Sequence, residues 1–357
     1  MSRIATIFLI ATSIFFAPRN VFAKDKPIKI GVITDLSGPA AYFGRSTQIG
    51  ATMAVRALEA AGGREWPPVE LIFEDSGLNP QRGISAAQKL IHADGVDALY
   101  VDFSRVATAV APVATNGEKI MISCSSAEAL IETNPKIFKV FLGITQGCRA
   151  VAEKFKEEGI QRLGILKAEE EYGELCLKGI KEVYPDFFEQ TFKQGEVVAP
   201  QFLRFKAEKV MAILNVGYEA DLENMIKAAS KIAYRPKLGV LTGMPTVPLR
   251  KQYGTFLENS LAFGLHVDTG ELKSLVHTFA PTDKVFNPEP LSLSYVHLQQ
   301  LVKSVAVCPD RSVSCISQHL ASSPSEPLIK FRGFKDRKAQ YDQPVYRIVA
   351  GEFSPMD

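Results

Sequence analysis

The first half of the chain alternates short apolar runs with amphipathic helical patterns. The apolar runs that predict strands are Ile28 to Ile33, Val69 to Phe73, Val96 to Val101 and Lys119 to Ser123. Helical spacing between them gives three apolar faces: Ile49, Met53, Ala57 and Ala61; Ile84, Ala87 and Ile91; and Val106, Ala109, Val110, Val113 and Ala114. Four strands alternating with three helices predict a parallel, doubly wound α/β sheet.

The same alternation begins again after Phe141. The predicted strands are Arg162 to Leu166, Val210 to Asn215 and Leu238 to Leu241, and the predicted helices cover about Gln146 to Glu158, Gly173 to Val183 and Glu219 to Lys231. Beyond Val267, helical stretches near Leu272 to Phe279 and Leu291 to Val307 precede apolar strands at Leu328 to Phe331 and Val345 to Val349. The chain therefore contains a second α/β set of similar build.

These two sets predict an α/β protein with two doubly wound parallel-sheet lobes. No low-complexity linker separates the sets, so we expect short ordered segments to cross between the lobes and form a hinge. We assign residues 24–143 plus about 268–340 to lobe 1, and residues 144–267 plus about 341–357 to lobe 2. Each lobe is then long enough to bury its own core.

The N-terminus has the pattern of a cleavable signal peptide over residues 1–23. Arg3 precedes an apolar run from Ile4 to Ala17, and Val21 to Ala23 place small residues where a signal peptidase reads them. A membrane anchor is the alternative, but the run is shorter than the roughly 20 residues that a spanning helix needs. The residue directly after the cleavage point is Lys24 and not a Cys that could carry a lipid. We expect an exported protein, located in the periplasm of a bacterium with two membranes.

Composition and charge exclude several classes of protein. The chain has 46% hydrophobic and 22% charged residues, which is the composition of an ordinary globular protein. Of the 41 Lys and Arg residues, Arg3 and Arg19 lie in the predicted signal peptide, which leaves 39 basic against 39 acidic residues. Nucleic acid or anionic lipid needs a basic excess on one face, so neither is expected as the main partner.

Export makes the five cysteines informative, because oxidising compartments permit disulfides. Cys308 and Cys315 are seven residues apart around a turn, so they are a candidate disulfide that closes a small loop. Cys124, Cys148 and Cys176 lie far apart beside apolar residues, and we expect them to be buried free thiols. Zinc-site spacing of Cys and His is absent from the sequence, so we expect no structural metal and no cofactor.

The stretch from Ile28 to Gly44, followed by a helix ending Ala60-Ala61-Gly62-Gly63, resembles the branched-chain amino acid binding proteins of ABC transporters. These proteins have the type I periplasmic binding fold. The other segments that carry the resemblance are Phe73-Glu74-Asp75 with Asn79-Pro80, the Ser104 to Ala111 junction, Ile122-Ser123, Glu171-Tyr172-Gly173 and Gly217-Tyr218. The resemblance implies that the two lobes close around a small ligand by a hinge motion and that the protein delivers this ligand to an ABC permease in the inner membrane. We expect the protein to be a monomer.

Candidate ligand-binding residues lie in the turns that follow the predicted strands. Ligands of open parallel sheets bind outside the carboxyl ends of the strands, where helix N-termini present free N–H groups that suit a carboxylate. Each serine has helix capping as its alternative role, and each aromatic residue has ordinary packing. The candidates from these turns are Phe43, Ser104, Ser125, Ser126, Tyr172 and Tyr218. The resemblance implies that the serine turns hold the ligand's carboxylate and that the tyrosines belong to the second lobe.

Two features depart from the pattern that the resemblance implies. Arg105 stands where a small hydroxyl residue is usual; it either grips a carboxylate in the cleft or is a solvated surface charge. The segment from Leu241 to Pro245 has no acid for a ligand ammonium group, although Glu219 or Asp221 beside Tyr218 could substitute. An amine buried without a carboxylate carries a desolvation cost, so the pattern leans toward a carboxylate. The expected ligand is a small amino acid-like molecule or a carboxylate, and aliphatic or aromatic amino acids and amides remain open.

Catalysis is not expected. Cys124 follows a strand, where a nucleophile could be exposed, but no His is near it in sequence. The sequence contains no nucleophile elbow, phosphate loop or zinc-protease helix motif. The second functional hypothesis is a ligand-sensing subunit of the same fold, whose closed state is read by a receptor or signalling partner.

Overall fold

The computed structural model of the protein describes residues 26–62, 67–193, 196–241, 245–283 and 287–356. The signal peptide predicted at residues 1–23 lies outside these ranges. Within them, no helix combines the length and the apolar character needed to cross a membrane.

Strands and helices alternate along most of the described chain, with consecutive strands at the end. In chain order the elements are β1 (Ile28–Thr34), α1 (Ala41–Gly62), β2 (Val69–Asp75), α2 (Pro80–Gln88), β3 (Ala98–Asp102), α3 (Ser104–Asn116), β4 (Ile120–Cys124), α4 (Ala129–Thr133), β5 (Ile137–Lys139), α5 (Ile144–Glu157), β6 (Leu163–Ala168), α6 (Glu171–Lys181), β7 (Phe188–Phe192), α7 (Ala199–Ala207), β8 (Ala212–Val216), α8 (Glu219–Lys231), β9 (Lys237–Leu241), α9 (Val247–Leu257), β10 (Leu261–Phe263), α10 (Thr269–Phe279), α11 (Pro288–Ala306), α12 (Val313–Ala321), β11 (Phe334–Lys335), β12 (Lys338–Ala339), β13 (Val345–Val349) and β14 (Glu352–Pro355).

The described strands form two seven-stranded sheets. The sheet of lobe 1 has the order β11-β12-β5-β4-β3-β1-β2, and that of lobe 2 has the order β14-β13-β10-β9-β8-β6-β7. Pairing is parallel in the middle of both sheets; Ile30, for example, lies opposite Leu71 on β2 and Ala98 on β3. Among the described strands, antiparallel pairs occur only toward one edge of each sheet: β11 with β12 in lobe 1, and β10 with β13 and β13 with β14 in lobe 2. The predicted fold class of two parallel-sheet α/β lobes is confirmed.

Successive side chains of the lobe 1 strands pack into two separate hydrophobic cores, one on each face of the sheet. Tyr100 and Ile122 pack with α1 and α11 on one face. Leu99 and Met121 pack with α2 and α3 on the other. This division follows from the pleat, in which successive side chains point to opposite faces. Helices α3 and α11 therefore cover opposite faces of the same sheet.

Close packing of α1 against α11 depends on Gly50. A side chain at Gly50 would overlap the backbone carbonyl oxygen of Leu291 and the hydroxyl of Ser294 on α11. At the start of α11, the side chain of Asn287 accepts a hydrogen bond from the N–H of Glu289. The N–H of Asn287 in turn donates to the Ser46 hydroxyl of α1 at 3.1 Å. These contacts fix the first turn of α11 against α1.

The described chain passes between the two sheets three times. The crossings follow β5, β10 and β12 and cover residues 140–143, 264–268 and 340–344. Each crossing is short, as the absence of a flexible linker in the sequence predicts. Three short connections that lie side by side can act as a hinge, because one lobe can rotate relative to the other through changes in a few backbone angles.

The prediction of a strand from Leu328 to Phe331 is wrong. Pro327 opens a single turn of 3-10 helix there, and Lys330 adopts a left-handed conformation with φ of 45°. Leu328 and Ile329 are both buried, so their apolar character reflects core packing of a turn rather than the alternation of a strand.

The expectation that Cys148 and Cys176 are free thiols is also wrong. Both are fully buried and joined by a disulfide, which links α5 to α6 in lobe 2. The two cysteines are 28 residues apart in the sequence, and this spacing does not indicate a disulfide. They meet only because α5 packs against α6. A second disulfide joins Cys308 to Cys315 between α11 and α12. Cys124 is a free and buried thiol.

Candidate functional site

A cavity lies between the two lobes, at the carboxyl ends of their parallel strands. We call it the interlobe cavity. Aromatic rings dominate its wall, and hydroxyl groups and one carboxyl-bearing residue complete it. Its lining residues are Tyr42, Phe43, Phe103, Ser104, Cys124, Ser125, Ser126, Phe141, Ile144, Tyr172, Gly217, Tyr218, Leu241 and Glu289. Both lobes contribute, so the cavity exists only while the lobes are together.

The turn from β3 into α3 presents Phe103 and Ser104 to the cavity. Phe103 precedes the helix with φ of 68° and ψ of 131°. A positive φ is unfavourable for a bulky residue, and such strain is common at binding sites. The ring of Phe103 lies 5.1 Å from that of Phe43, which comes from the first turn of α1. Ser104 then starts a 13-residue helix, whose free N–H groups point toward the cavity end of the sheet.

A serine cluster joins this turn to the neighbouring turn after β4. The hydroxyls of Ser104 and Ser126 are 2.8 Å apart, and the N–H of Ser126 donates to the Ser104 hydroxyl at 3.1 Å. Ser125 pairs with Ser123 through their hydroxyls at 2.7 Å. The cluster places hydroxyls and a helix N-terminus together, an arrangement that suits a carboxylate.

Lobe 2 contributes two tyrosines from equivalent turns. Tyr172 lies in the first turn of α6, and Tyr218 precedes α8. Their rings are 5.7 Å apart. The Tyr172 hydroxyl is buried and has no hydrogen-bond partner among the described residues. Burial raises the pKa values of both tyrosines, so each hydroxyl stays protonated and able to donate.

Three contacts join the lobes around the cavity. The N–H of Glu219 in lobe 2 donates to the Tyr42 hydroxyl of lobe 1 at 3.2 Å. The rings of Phe103 and Tyr218 meet edge to face at 6.3 Å. Arg105 of α3 forms an ion pair with Glu170, which precedes α6, with 3.3 Å between Nη1 and Oε1. This set of contacts describes a closed form.

The structure places six of the eight predicted ligand-binding residues in the cavity wall: Phe43, Ser104, Ser125, Ser126, Tyr172 and Tyr218. Arg105 and Glu219 are not among the residues that line it. The Arg105 side chain is 43% exposed, and its charge meets Glu170 rather than the cavity. The Glu219 carboxylate accepts a hydrogen bond from Thr246 instead. Asp221 caps α8 by accepting from the N–H of Tyr218 at 2.9 Å. The segment from Thr242 to Met244 lies outside the described residues.

Sequence reasoning missed several lining residues. Tyr42 and Phe103 are adjacent to residues that were predicted, so the strand-to-helix rule could have included them. Phe141 lies in the first crossing between the lobes, which the sequence does not mark as a binding element. Glu289 is 4% exposed and lies at the N-terminus of α11, which no strand directly precedes in the sequence. No pattern in the sequence indicates that this acid reaches the cavity.

Buried acid groups lie behind the lobe 1 wall of the cavity. Burial raises the pKa of Asp102 to about 7, although Thr34 donates a hydrogen bond to its carboxylate at 2.5 Å. Burial also raises the pKa of the Cys124 thiol well above its usual range, and the nearby carboxylates of Asp102 and Glu289 raise it further. A thiol in this environment is a poor nucleophile, because the thiolate is the reactive form.

Comparison with known proteins agrees with this architecture. The family model described as "Periplasmic binding protein" matches residues 27–250. The Leu/Ile/Val-binding protein of Escherichia coli strain K12 is 22% identical over 264 residues, which are 71% of this chain and 71% of the relative. The chain therefore belongs to the periplasmic binding protein family, and its resemblance to branched-chain amino acid binding proteins is confirmed.

Solved structures share the fold over nearly the whole chain. The substrate-binding protein LivJ of Streptococcus pneumoniae, solved in complex with isoleucine, has a TM-score of 0.80 and 17% identity, and the match covers 92% of this chain and 98% of LivJ. A solute-binding protein of an ABC transporter from R. palustris, solved with 4-hydroxybenzoate, has the same TM-score and identity over 93% of this chain and 96% of that protein. The architecture is thus that of type I periplasmic binding proteins.

Proposed function

We propose that this protein is an exported solute-binding protein that captures a small carboxylate in the interlobe cavity and delivers it to an ABC permease. The observation that carries the proposal is a cavity whose wall combines aromatic rings from both lobes with the serine cluster at the start of α3. Such a cavity suits a ligand with an apolar body and one anionic group. The isoleucine and 4-hydroxybenzoate bound by the two structural relatives both carry a carboxylate.

In this proposal the serine cluster holds the carboxylate. Ser104 and Ser126 supply hydroxyls, and the N–H groups at the start of α3 supply further donors with the positive end of the helix dipole. Ser125 contributes a third hydroxyl beside them. Phe43 and Tyr218 enclose the apolar body from opposite lobes, and the Tyr172 hydroxyl donates to a polar atom of the ligand.

Ligand binding stabilises the closed form because the ligand contacts both lobes. Arg105 and Glu170 add an interlobe ion pair to that form. Glu219 takes part through its backbone N–H, which donates to Tyr42 across the lobes. The permease then distinguishes the closed from the open form. The signal peptide predicted at residues 1–23 places this binding step in the periplasm, and the protein acts there as a monomer without catalysing a reaction.

Thermal unfolding of residues 24–357 with a library of amino acids, amides and organic acids tests the binding step. A ligand at a hundred times its dissociation constant adds about 2.7 kcal/mol of stability, which raises the unfolding midpoint by a few degrees. We expect carboxylates with an apolar body to give the largest shifts. A Ser126→Ala variant should lose the shift, whereas Ser322→Ala, a change on the exposed surface of lobe 1, should keep it. A library without a single shift would contradict the proposal.

Uptake tests the delivery step separately. Cells that lack this chain should take up the labelled ligand more slowly than cells that contain it, at ligand concentrations near the dissociation constant. Equal uptake in both strains would contradict a role in transport and would favour the sensing subunit.

A further inference from the structure

A buried lysine lies directly before the first crossing between the lobes. Lys139 is the last residue of β5, and its side chain is completely buried. Its Nζ donates to the backbone carbonyl oxygens of Phe141 and Leu142, at 3.2 Å and 3.4 Å. The Oε1 atom of Glu128 lies 3.3 Å from the same Nζ. An ammonium group has three N–H donors and no acceptor, so these three oxygens match its donors one for one.

Lys139 is charged at neutral pH and its charge is paired. Burial lowers the pKa of Lys139 to about 8, and the nearby Glu128 carboxylate opposes this fall. Glu128 also pairs with Lys338 of β12, with 2.9 Å between Oε2 and Nζ. Burial raises the pKa of Glu128, but the charges of the two lysines bring it below its usual value. The ammonium group therefore has the charged partner that a buried cation needs.

Glu128 belongs to the turn that carries part of the serine cluster. Ser125 and Ser126 come two and three residues before Glu128, between β4 and α4, and both line the interlobe cavity. Phe141 lines the same cavity. Lys139 is thus bonded to the turn of the two serines through Glu128, and to the backbone of an aromatic wall residue through the Phe141 carbonyl.

The two carbonyl bonds also restrict the first crossing. The Phe141 ring contacts the cores of both lobes and lies 6.4 Å from the ring of Phe43 in lobe 1. Leu142 is buried in the lobe 1 core. Because Lys139 holds the carbonyls of both residues, the part of this crossing that remains free to bend is Gly143, directly before α5. The backbone of Phe141 is therefore fixed to lobe 1.

We infer that Lys139 is a positioning residue that holds Phe141 and the turn of Ser125 and Ser126 together as one rigid part of the ligand site on lobe 1. The inference rests on the proposed function and assigns a residue to it. Lys139 is not among the residues that line the cavity, so it acts through the residues that it holds.

Hydrogen exchange measured by mass spectrometry at pH 7 tests the positioning without a ligand. The variant Lys139→Met removes the charge and the three donors and keeps an unbranched apolar chain. We expect exchange to become at least about tenfold faster in residues 120–128 and 137–143, because hydrogen bonds from a charged donor are lost at both places. Exchange in β6 of lobe 2 should stay unchanged.

Two backbone N–H groups report on these segments. The N–H of Ser126 donates to the Ser104 hydroxyl at 3.1 Å. The N–H of Val140 donates to the carbonyl oxygen of Ser123 at 2.9 Å. Both are protected as long as the turn and the start of the crossing keep their positions, so their faster exchange measures the loss of positioning.

Lys167→Met is the matched control. Lys167 is a buried lysine of β6 that pairs with Glu174 and Glu189 within lobe 2. Its loss removes a buried ammonium group from an ion-pair cluster in the other lobe, so exchange in residues 120–128 and 137–143 should not change. If Lys139→Met does not fold, Glu128→Gln is the second variant, and it should speed exchange in the same two segments by at least about threefold.

Ligand affinity separates positioning from a purely structural role. The probes are L-isoleucine and 4-hydroxybenzoate, which two structural relatives bind. Titration calorimetry is carried out at a temperature at which the parent and the variants are fully folded. We expect Lys139→Met to weaken the affinity for a probe that binds the parent by at least about fivefold, and Lys167→Met to change it by less than about twofold.

The failures of the inference and of the proposed function are distinguishable. Exchange that stays unchanged in the two segments of Lys139→Met, or that rises equally in both lobes, would overturn the inference. A loss of affinity smaller than about fivefold would also overturn it, with the proposed function intact. If neither probe binds the parent protein, the exchange measurements alone decide the inference, and the thermal unfolding library decides the proposed function.

Discussion

Arg105 and Glu170 form an ion pair that joins the two lobes, with 3.3 Å between Nη1 and Oε1. The arginine comes from the first turn of α3, directly after Ser104, and the glutamate precedes α6 of lobe 2. Burial raises the pKa of Glu170, and the charge of Arg105 opposes that rise. Arg105 does not line the interlobe cavity, so in the proposed mechanism the pair contributes to closure by joining the lobes rather than by contacting the ligand.

Replacing Arg105 by Gln should weaken ligand affinity by up to about fivefold, because a partly exposed ion pair contributes about 0.2 to 1 kcal/mol. The loss should shrink at high salt, since ions screen exposed charges. Titration calorimetry at low and high salt measures both effects. Arg82→Gln is the matched control, because Arg82 pairs with Asp75 within lobe 1. A loss of a hundredfold or more would contradict this role and indicate direct contact with the ligand.

Replacing Tyr172 by Phe should leave the stability of the empty protein unchanged or raise it slightly, because the buried hydroxyl has no hydrogen-bond partner among the described residues. The same change should weaken ligand binding by about fivefold to tenfold if the ligand accepts that hydrogen bond. Tyr184→Phe is the control for stability, since the Tyr184 hydroxyl donates to the Ile160 carbonyl at 2.8 Å. Thermal unfolding with and without ligand separates the effects. Equal affinity of Tyr172→Phe and the parent would argue against this contact.

The double variant Cys148→Ala, Cys176→Ala should unfold at a lower denaturant concentration than the parent. Closing a loop of 28 residues restricts the unfolded chain, which corresponds to about 3 to 4 kcal/mol of stability. The Cys308–Cys315 pair closes a seven-residue loop and should contribute less, about 2 kcal/mol. Denaturant unfolding with and without a reductant measures both. Insensitivity of the parent protein to reduction would contradict the pairing of Cys148 with Cys176.

The stability that protonated Asp102 contributes to the folded protein should be lost as the pH rises. Burial raises its pKa from 3.8 to about 7 in the folded state, so the folded protein binds this proton more tightly than the unfolded chain does. The stabilisation from the bound proton is fully present below pH 3.8 and is lost as the pH rises through about 7. An Asp102→Asn variant should not show this loss. The free energy of unfolding of both proteins, measured between pH 4 and pH 8, isolates the contribution of Asp102. Parallel curves for the two proteins would contradict the raised pKa.

The sequence predicted those parts of the structure that local patterns determine. The alternation of apolar strands and helices predicted both parallel sheets, and the rule for strand-to-helix turns led to Ser104, Ser126 and Tyr218. Contacts between distant elements left no such pattern. Glu289 reaches the cavity only because α11 packs against α1, and Cys148 meets Cys176 only because α5 packs against α6. The same limit applies to Arg105, whose partner Glu170 belongs to the other lobe.

A crystal structure grown with the carboxylate that gives the largest thermal shift tests the central claim most directly. We expect the ligand in the interlobe cavity of a closed molecule, with its carboxylate within hydrogen-bond distance of Ser104 and Ser126 and its apolar body between Phe43 and Tyr218. A ligand bound outside this cavity, or one whose carboxylate lies away from the serine cluster, would contradict the account.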